Sequence, residues 1–192
     1  MTPITYPARP INGGAFNPAV TKVGAWFVEP KDNGWRAAPV HVPTGTMFNR
    51  HGEQLSIAGE FQTALKVLRD SLPGIEWADC EALDRRHGRC RGTLIVLDAI
   101  VPCTVYTERR ALLGHLPLHG ITEDVRDTIR LIPSYPATEA ERLYAELKAA
   151  NATLGCEFYE GIVMKQGASI YPIQRLSPER TTHTWVKHRW AW

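Results

Sequence analysis

The octet at residues 29–36 combines a lysine with a nearby acid, a glycine turn and an arginine. It follows a short apolar run and reads Glu-Pro-Lys-Asp-Asn-Gly-Trp-Arg. A lysine amine is a nucleophile only when neutral, and nearby cations such as Arg36 favour the neutral form. On an extended strand Glu29 lies on the same face as Lys31. The octet therefore suggests covalent catalysis by Lys31; the alternative is a plain strand ending in a hairpin turn.

Three further segments carry charged residues at spacings that suit phosphate or sugar binding. Arg50 lies beside a glycine turn, where a phosphate can approach closely. Asp79 and Glu81 share one face of a predicted strand, an arrangement that is costly unless they bind a hydroxyl or a cation. Lys187 and Arg189 alternate on the last strand, so both reach the same phosphate. These segments predict a polar site built largely on strands.

Strand patterns predominate, and the helices are few. The first 22 residues, rich in Pro, Asn and Gly, are predicted to be an arm, and 23–192 one domain. Residues 85–92 are interpreted as a basic hairpin loop, and Thr138 with Glu141 as a capping box. The predicted strands are 23–29, 35–42, 75–83, 93–101, 160–165 and 183–189, with a strand or helical piece near 122–132, and the predicted helices are 58–72, 107–116 and 139–150. The pattern predicts an α+β fold with antiparallel sheets and flanking helices.

Composition narrows the class of protein. The chain has 192 residues, 44% of them hydrophobic, and a net charge of +2. Any affinity for nucleic acid must therefore come from a local basic patch. The four cysteines have no C-x-x-C spacing, which favours free thiols and a cytoplasmic location over a zinc site. No apolar run has membrane-spanning length, so no membrane partner is expected.

Several segments, in chain order, resemble the motifs of the covalent nucleotidyltransferases, the superfamily of ATP-dependent DNA and RNA ligases and mRNA capping enzymes. The octet resembles Glu-x-Lys-x-Asp-Gly-x-Arg, and 49–52 resembles Ser-Arg-x-Gly. Residues 79–83 resemble Asp-Gly-Glu-Leu, 160–165 resemble Glu-Gly-hydrophobic-hydrophobic-hydrophobic-Lys, and 185–189 resemble Trp-x-Lys-x-Lys. Residues 93–100 are similar to the strand motif that lies between the motifs at 79–83 and 160–165. Residues 106–113 are similar to the Tyr-x-x-Arg-Arg-x-x-Leu helix of many DNA ligases. The resemblance implies the adenylation domain of a DNA ligase.

The resemblance also implies residue roles. Lys31 would attack the α-phosphorus of ATP and carry AMP, while Lys187 and Arg189 stabilise charge on the α-phosphate. Glu160 would hold Mg²⁺ or orient the lysine, and Arg50 would contact the 5′-phosphate end of the nucleic acid. The residues implied to bind the nucleotide are Glu29, Arg36, Glu81, Leu97, Val163 and Lys165.

The implied reaction uses ATP and Mg²⁺ to seal nicked DNA, or RNA. Two departures bear on this: Asn33 replaces the usual Asp of the octet motif, and Leu97 replaces a base-stacking aromatic residue. The OB-fold domain that follows in DNA ligases and capping enzymes is not recognisable here, and a separate chain supplying an OB-fold or clamp function is one solution. An RNA ligase, a nucleotidyltransferase that only adenylylates ends, and a non-catalytic nucleotide- or nucleic-acid-binding module stay open as alternatives.

Overall fold

The computed structural model describes residues 9–19, 24–83, 85–171 and 182–190. The strands of the described part are β1 (Pro10–Asn12), β2 (Trp26–Asp32), β3 (Trp35–His41), β4 (Thr46–Met47), β5 (Trp77–Leu83), β6 (Thr93–Ala99), β7 (Ile129–Leu131), β8 (Tyr135–Pro136), β9 (Tyr159–Gln166) and β10 (Thr182–Arg189). The α-helices are α1 (Gln62–Ser71), α2 (Tyr106–Leu113) and α3 (Ala140–Leu154). Short 3-10 helices occupy Ser56–Phe61, Arg85–Cys90 and Ala137–Glu139.

Two five-stranded sheets organise the chain. The first has the order β1-β10-β9-β2-β8, and the second β4-β3-β5-β6-β7. The pairs β1–β10 and β6–β7 are parallel, whereas the other strand pairs of the described residues are antiparallel. The α+β fold predicted from the sequence, with antiparallel-rich sheets and flanking helices, is confirmed.

The octet joins the two sheets. β2 pairs with β9 and β8 in the first sheet, while β3 pairs with β4 and β5 in the second. The hairpin interpretation of the octet is therefore wrong, because the strands on either side of its turn do not pair with each other. A Cβ on Gly34 would lie 2.7 Å from Glu81 Cγ. Glycine therefore lets the crossing chain pass close against β5.

Each sheet carries a helix over a buried apolar cluster. Ala64, Leu65 and Leu68 of α1 pack on the second sheet, in a cluster that includes buried residues of β3, β5, β6 and β7. Buried residues of α3 cover β9 and β2 of the first sheet. The seven residues of β6 are mostly apolar and nearly all buried, as expected for an interior strand. One face of each sheet is thus covered by a helix, and polar residues of both sheets line a shared cleft.

Three local predictions need correction. The capping box is wrong: Thr138 lies inside a 3-10 helix, and α3 begins two residues later, at Ala140, without a side-chain cap. That helix also continues to Leu154, ending where Gly155 takes the left-handed conformation with φ 64°. The basic loop contains a 3-10 helix at Arg85–Cys90 in place of a simple hairpin turn.

The predicted arm is partly described. Its residues 10–12 form β1 at the edge of the first sheet, whereas 1–8 and 20–22 lie outside the described residues. The boundary between arm and domain stays a prediction. The longest described helix, α3, has 15 residues, and the described helices include none with the length and apolar character required to cross a bilayer.

Candidate functional site

A cleft of about 610 Å³ opens between the two sheets. Its volume falls within the range of ordinary small-ligand sites. All of the residues predicted for the site line this one cleft: Glu29, Lys31, Arg36, Arg50, Glu81, Leu97, Glu160, Val163, Lys165, Lys187 and Arg189. Residues up to 160 positions apart in the sequence are thus gathered on one surface, as the motif interpretation requires, while their individual roles stay predictions.

The register of the first sheet sets the layout of the cleft floor. Lys31 on β2 pairs with Gly161 on β9, which pairs with Arg189 on β10. Directly opposed residues share a face, and neighbouring strands lie about 4.8 Å apart, so the Lys31 and Arg189 backbones are roughly 10 Å apart. Two positions along each strand, the next row consists of Glu29, Val163 and Lys187.

A β-bulge brings an acid to the nucleophile candidate. The pairing shifts between Lys31 and Asp32, which leaves Glu160 without its own partner on β2. Its Oε2 lies 2.6 Å from Lys31 Nζ and 2.8 Å from Arg189 Nη2. Gly161 permits this geometry, because its φ of 145° suits glycine, and a Cβ would clash with the backbone oxygen of His188. The lysine therefore sits in an ion cluster at one end of the cleft.

Lys187 adds a further cation to this end. Partial burial lowers its pKa, and the positive charges of Arg189 and Lys31 lower it further, against the opposing effect of Glu160. The three cations Lys31, Lys187 and Arg189 outnumber the carboxylate of Glu160, so this end carries excess positive charge that a phosphate would neutralise. This end of the cleft is suited to bind anions.

The opposite end of the cleft is lined by the buried residues Glu29 and Lys165. Glu29, only 2% exposed, accepts a 2.5 Å hydrogen bond from Tyr106 and lies 2.9 Å from Lys165 Nζ. Lys165 also donates to the Leu97 carbonyl and lies 4.4 Å from the centre of the Trp185 ring. An acceptor and a donor side by side can read the edge of a purine base. Leu97 and Val163 line the same part of the cleft as aliphatic surfaces.

A fully buried ion pair supports this end from below. Arg109 on α2 donates to both oxygens of Asp98, at 2.8 and 3.0 Å, and to the backbone carbonyls of Thr104 and Ser169. Asp98 Oδ2 also lies 3.8 Å from Lys165 Nζ. Helix α2 is thus tied to β6 and to the loop after β9, which holds Lys165 in place.

The second sheet contributes a wall of acids and one arginine. Arg36 forms a bidentate pair with Asp79, at 3.2 and 2.6 Å, and Tyr171 donates to the same carboxylate at 2.8 Å. Glu81 pairs in register with Arg36 on the neighbouring strand. Burial is the main factor that raises the pKa of Glu81 to about 7. A partly protonated Glu81 suits contact with a hydroxyl, such as a ribose hydroxyl, better than contact with a phosphate.

Asp32 faces the cleft without a hydrogen-bond partner among the described residues. It is 4% exposed, and both of its oxygens are unpaired. Burial, followed by the nearby charge of Glu81, raises its pKa to about 8, although Lys31 acts in the opposite direction. The residue beside the nucleophile candidate is therefore a neutral acid near neutral pH.

Arg50 lies on a loop that is ordered by Asn49. The Asn49 side-chain oxygen accepts from the backbone N–H groups of His51 and Glu53 at 2.8 and 3.1 Å, and its amide donates to the Glu53 carboxylate. Arg50 Nε donates to His51 Nε2 at 3.0 Å. The loop presents Arg50 at the rim of the cleft, where a large partner can reach it.

Protein side chains alone do not form a metal site here. No group of three or more metal-ligating side chains clusters within the described residues. Mg²⁺, however, is commonly held by one or two carboxylates together with substrate phosphates and water. Glu160, beside Lys31 and Arg189, fits that requirement. The cleft therefore suits a metal that arrives with a phosphate ligand.

Sequence reasoning missed four contributors. Tyr106 belonged to a recognised helix pattern, but its bond to Glu29 spans 77 positions and leaves no local signal. Arg9 and Asp32 also line the cleft. Asp32 is adjacent to Lys31, so its position was a signal, but its burial was not predictable from the octet. Asp79 was noted as an acid, yet its role as the partner of Arg36 emerged only from the pairing of β3 with β5.

Comparison with known proteins identifies the fold. No family model and no curated protein sequence matches the chain. The solved structures similar to it include the ligase domain of LigD from M. tuberculosis, with a TM-score of 0.64, 20% identity and coverage of 96% of this chain and 59% of that one. Chlorella virus DNA ligase-adenylate has a TM-score of 0.54 and 16% identity, with coverage of 97% and 67%. An archaeal ATP-dependent RNA ligase has a TM-score of 0.52 and 19% identity, with coverage of 94% and 48%.

These matches confirm the predicted resemblance at the level of the fold, which is that of ligase nucleotidyltransferase domains. The chain spans about three fifths of the LigD ligase domain and about half of the RNA ligase. Structures of DNA ligases and of an RNA ligase both match with similar identity, so the fold does not distinguish the two substrates.

Proposed function

We propose that this chain is the nucleotidyltransferase module of an ATP-dependent polynucleotide ligase, that Lys31 carries AMP, and that the acceptor is nicked DNA. The observation that carries the proposal is the position of Lys31 Nζ, 2.6 Å from Glu160 and in one row with Arg189. A lysine at the cationic end of a cleft with a purine-compatible pocket at its other end is arranged for attack on a nucleotide phosphate.

The first step forms a phosphoramidate. The Lys31 ammonium first loses a proton, and the neutral amine attacks the α-phosphorus of ATP. A nitrogen–phosphorus bond forms while the bond to the β-phosphate oxygen breaks, and pyrophosphate leaves with the bonding electron pair. The nitrogen then releases a second proton. Lys187 and Arg189 stabilise the charge on the α-phosphate during this exchange.

Other side chains position the nucleotide. Glu29 and Lys165 contact the edge of the base, with Tyr106 fixing the Glu29 carboxylate. Glu81 accepts a hydrogen bond from a ribose hydroxyl or, when protonated, donates one to it, in keeping with its raised pKa. Glu160 would hold Mg²⁺ together with the phosphates, and the bound ion would neutralise charge on the triphosphate. Arg50 at the rim receives the 5′-phosphate of the nick.

Transfer completes the cycle. The 5′-phosphate oxygen of the acceptor attacks the AMP phosphorus and Lys31 leaves, taking up a proton. A 3′-hydroxyl then displaces AMP and joins the strands. Asn33, which stands in place of the usual acid, favours a second candidate acceptor, an RNA nick. The Asn33 side chain also has a structural contact, because it donates to the Glu157 carbonyl at 3.0 Å.

Labelling with α-³²P-ATP, α-³²P-GTP or radiolabelled NAD⁺ in Mg²⁺ tests the first step. We expect the protein to be labelled from ATP. The label should survive alkali and be released by acid, because a nitrogen–phosphorus bond is stable in alkali and is cleaved by acid. Lys31→Ala should abolish it. Lys66→Ala removes an exposed lysine on α1 that pairs with Asp70, and should label as wild type does.

The second step separates the remaining candidates. Labelled protein is mixed with nicked DNA or nicked RNA of the same sequence, and transfer of AMP to each is followed. Transfer to DNA supports the proposal, and transfer to RNA alone replaces it with the RNA candidate. ATP binding without any label would refute lysine adenylylation and leave a nucleotide-binding module.

A further inference from the structure

The edge strand β1 brings an additional arginine to the cleft. Arg9 precedes β1, and its carbonyl accepts from the Thr182 backbone N–H at 2.9 Å. At the other end of the strand, Gly13 N–H donates to the Lys187 carbonyl, also at 2.9 Å. Arg9 and Pro10 line the same cleft as Lys31. Because both ends of β1 are bonded to β10, the position of Arg9 is fixed by the sheet.

The fit between β1 and β10 depends on a glycine. A Cβ on Gly13 would lie 2.5 Å from the His188 ring and 2.7 Å from a Val186 methyl group. Real Cβ atoms do not approach other atoms so closely, and both neighbours belong to the strand that β1 pairs with. A larger residue at this position would require the His188 and Val186 side chains, or β1 itself, to shift.

The charges around Lys187 point to a polyanion. The cations that act on its pKa are Arg189, Lys31 and Arg9, and the one carboxylate among the named causes is Glu160. Lys187 and Arg189 are already available to stabilise a single α-phosphate. Arg9 adds a third cation near Lys187, at the side of the cleft where β1 pairs with β10, and a further phosphate could bind there.

We propose that Arg9 is a phosphate-binding residue that holds the β- and γ-phosphates of ATP and then the pyrophosphate leaving group. This inference rests on the proposed function of the cleft. A guanidinium donates hydrogen bonds to phosphate oxygens, and in this step Arg9 takes no proton. As the bond between the α-phosphorus and the bridging oxygen breaks, negative charge grows on pyrophosphate, and Arg9 stabilises that charge.

Equilibrium binding tests the inference independently of catalysis. Titration calorimetry compares ATP, pyrophosphate and AMP on a Lys31→Ala background, where no covalent step occurs, with and without Arg9→Ala. Loss of a charged hydrogen bond should weaken ATP and pyrophosphate roughly 10- to 100-fold, and AMP less than about 3-fold, since AMP has no β-phosphate. Arg9→Lys should recover part of the loss. Arg69→Ala, an exposed arginine on α1 outside the cleft, is the charge-matched control and should change nothing.

Gly13→Ala supplies a test without any change in charge. It should weaken ATP and pyrophosphate as Arg9→Ala does, leave AMP binding near wild type, and retain a cooperative thermal transition. The AMP arm also shows that each variant is folded.

Three results would overturn the proposal: unchanged ATP and pyrophosphate affinity in Arg9→Ala, an equal loss for AMP, or loss of nicked-DNA binding alone, which would assign Arg9 to the acceptor. Failure of the proposed function looks different. ATP binding would then still be weakened by Arg9→Ala, but the wild-type protein would form no lysine adduct.

Discussion

Replacement of Asp32 by asparagine should change how stability depends on pH. The Asp32 carboxyl is buried, its oxygens have no partner among the described residues, and its pKa is raised to about 8 from an ordinary 3.8. Between these two values the folded protein holds a proton that the unfolded chain releases. The stability of the wild type therefore falls as pH rises through this window and levels off above about pH 8.

The slope follows from one proton. When one proton is bound in the folded state but not in the unfolded state, the free energy of unfolding falls by about 1.4 kcal/mol for each pH unit of increase. Asparagine does not ionise, so the free energy of unfolding of Asp32→Asn should gain on the wild type by about 3 kcal/mol between pH 5 and pH 7. For a chain of this size each kcal/mol shifts the Tm by about 2–4 °C. Glu81, also raised in pKa, contributes the same falling slope to both proteins and cancels in the difference.

Urea unfolding followed by circular dichroism at pH 5, 6, 7 and 8 measures the difference between the two proteins. Asp70→Asn is the matched control, because Asp70 is exposed on α1 and pairs with Lys66. Its difference from wild type should not grow with pH across this range. A gap between Asp32→Asn and wild type that stays constant from pH 5 to pH 7 would refute the neutral, buried Asp32.

Two further substitutions test the buried end of the cleft. Leu97→Phe should tighten AMP binding about 2- to 10-fold by calorimetry, since an aromatic face adds roughly 0.5–1.5 kcal/mol, and unchanged or weaker binding would show that the base does not lie against Leu97. Arg109→Met leaves the Asp98 carboxylate buried without its bidentate partner and should lower the free energy of unfolding by about 3–5 kcal/mol in urea titrations. A loss below about 1 kcal/mol would contradict the role of this ion pair in holding α2.

The sequence predicted which residues line the cleft, whereas their roles stay predictions. Lys187 and Arg189 were expected on one face because a spacing of two on a strand keeps side chains on one side, but the β-bulge that brings Glu160 to Lys31 has no such period. The capping box was wrong for a different reason. The Thr138-x-x-Glu141 pattern is local, but the backbone there first forms a 3-10 helix, and that choice depends on packing against β8 and β2.

The missed contacts are those made across long stretches of chain. Arg9 bonds to Thr182, and Tyr106 to Glu29, so neither pairing has a local period to detect. The short strand β1 was interpreted as part of an extended arm, since it lies in a stretch rich in Pro, Asn and Gly and itself contains a proline and an asparagine. An edge strand tolerates such residues because one of its sides needs no ladder hydrogen bonds.

The register of the first sheet explains how the layout tolerates unusual residues. Lys31, Gly161 and Arg189 are spaced by backbone pairing, so the separation of the Lys31 and Arg189 backbones does not depend on whether position 189 carries lysine or arginine. The same holds for Leu97, whose backbone carbonyl binds Lys165 whatever its side chain is. The features free to vary are those outside the register. The loop of Arg50 is ordered by its own Asn49 contacts, so it can change without disturbing the cleft floor. Selectivity for DNA or RNA should therefore be sought by exchanging that loop, with lysine adenylylation as the internal control.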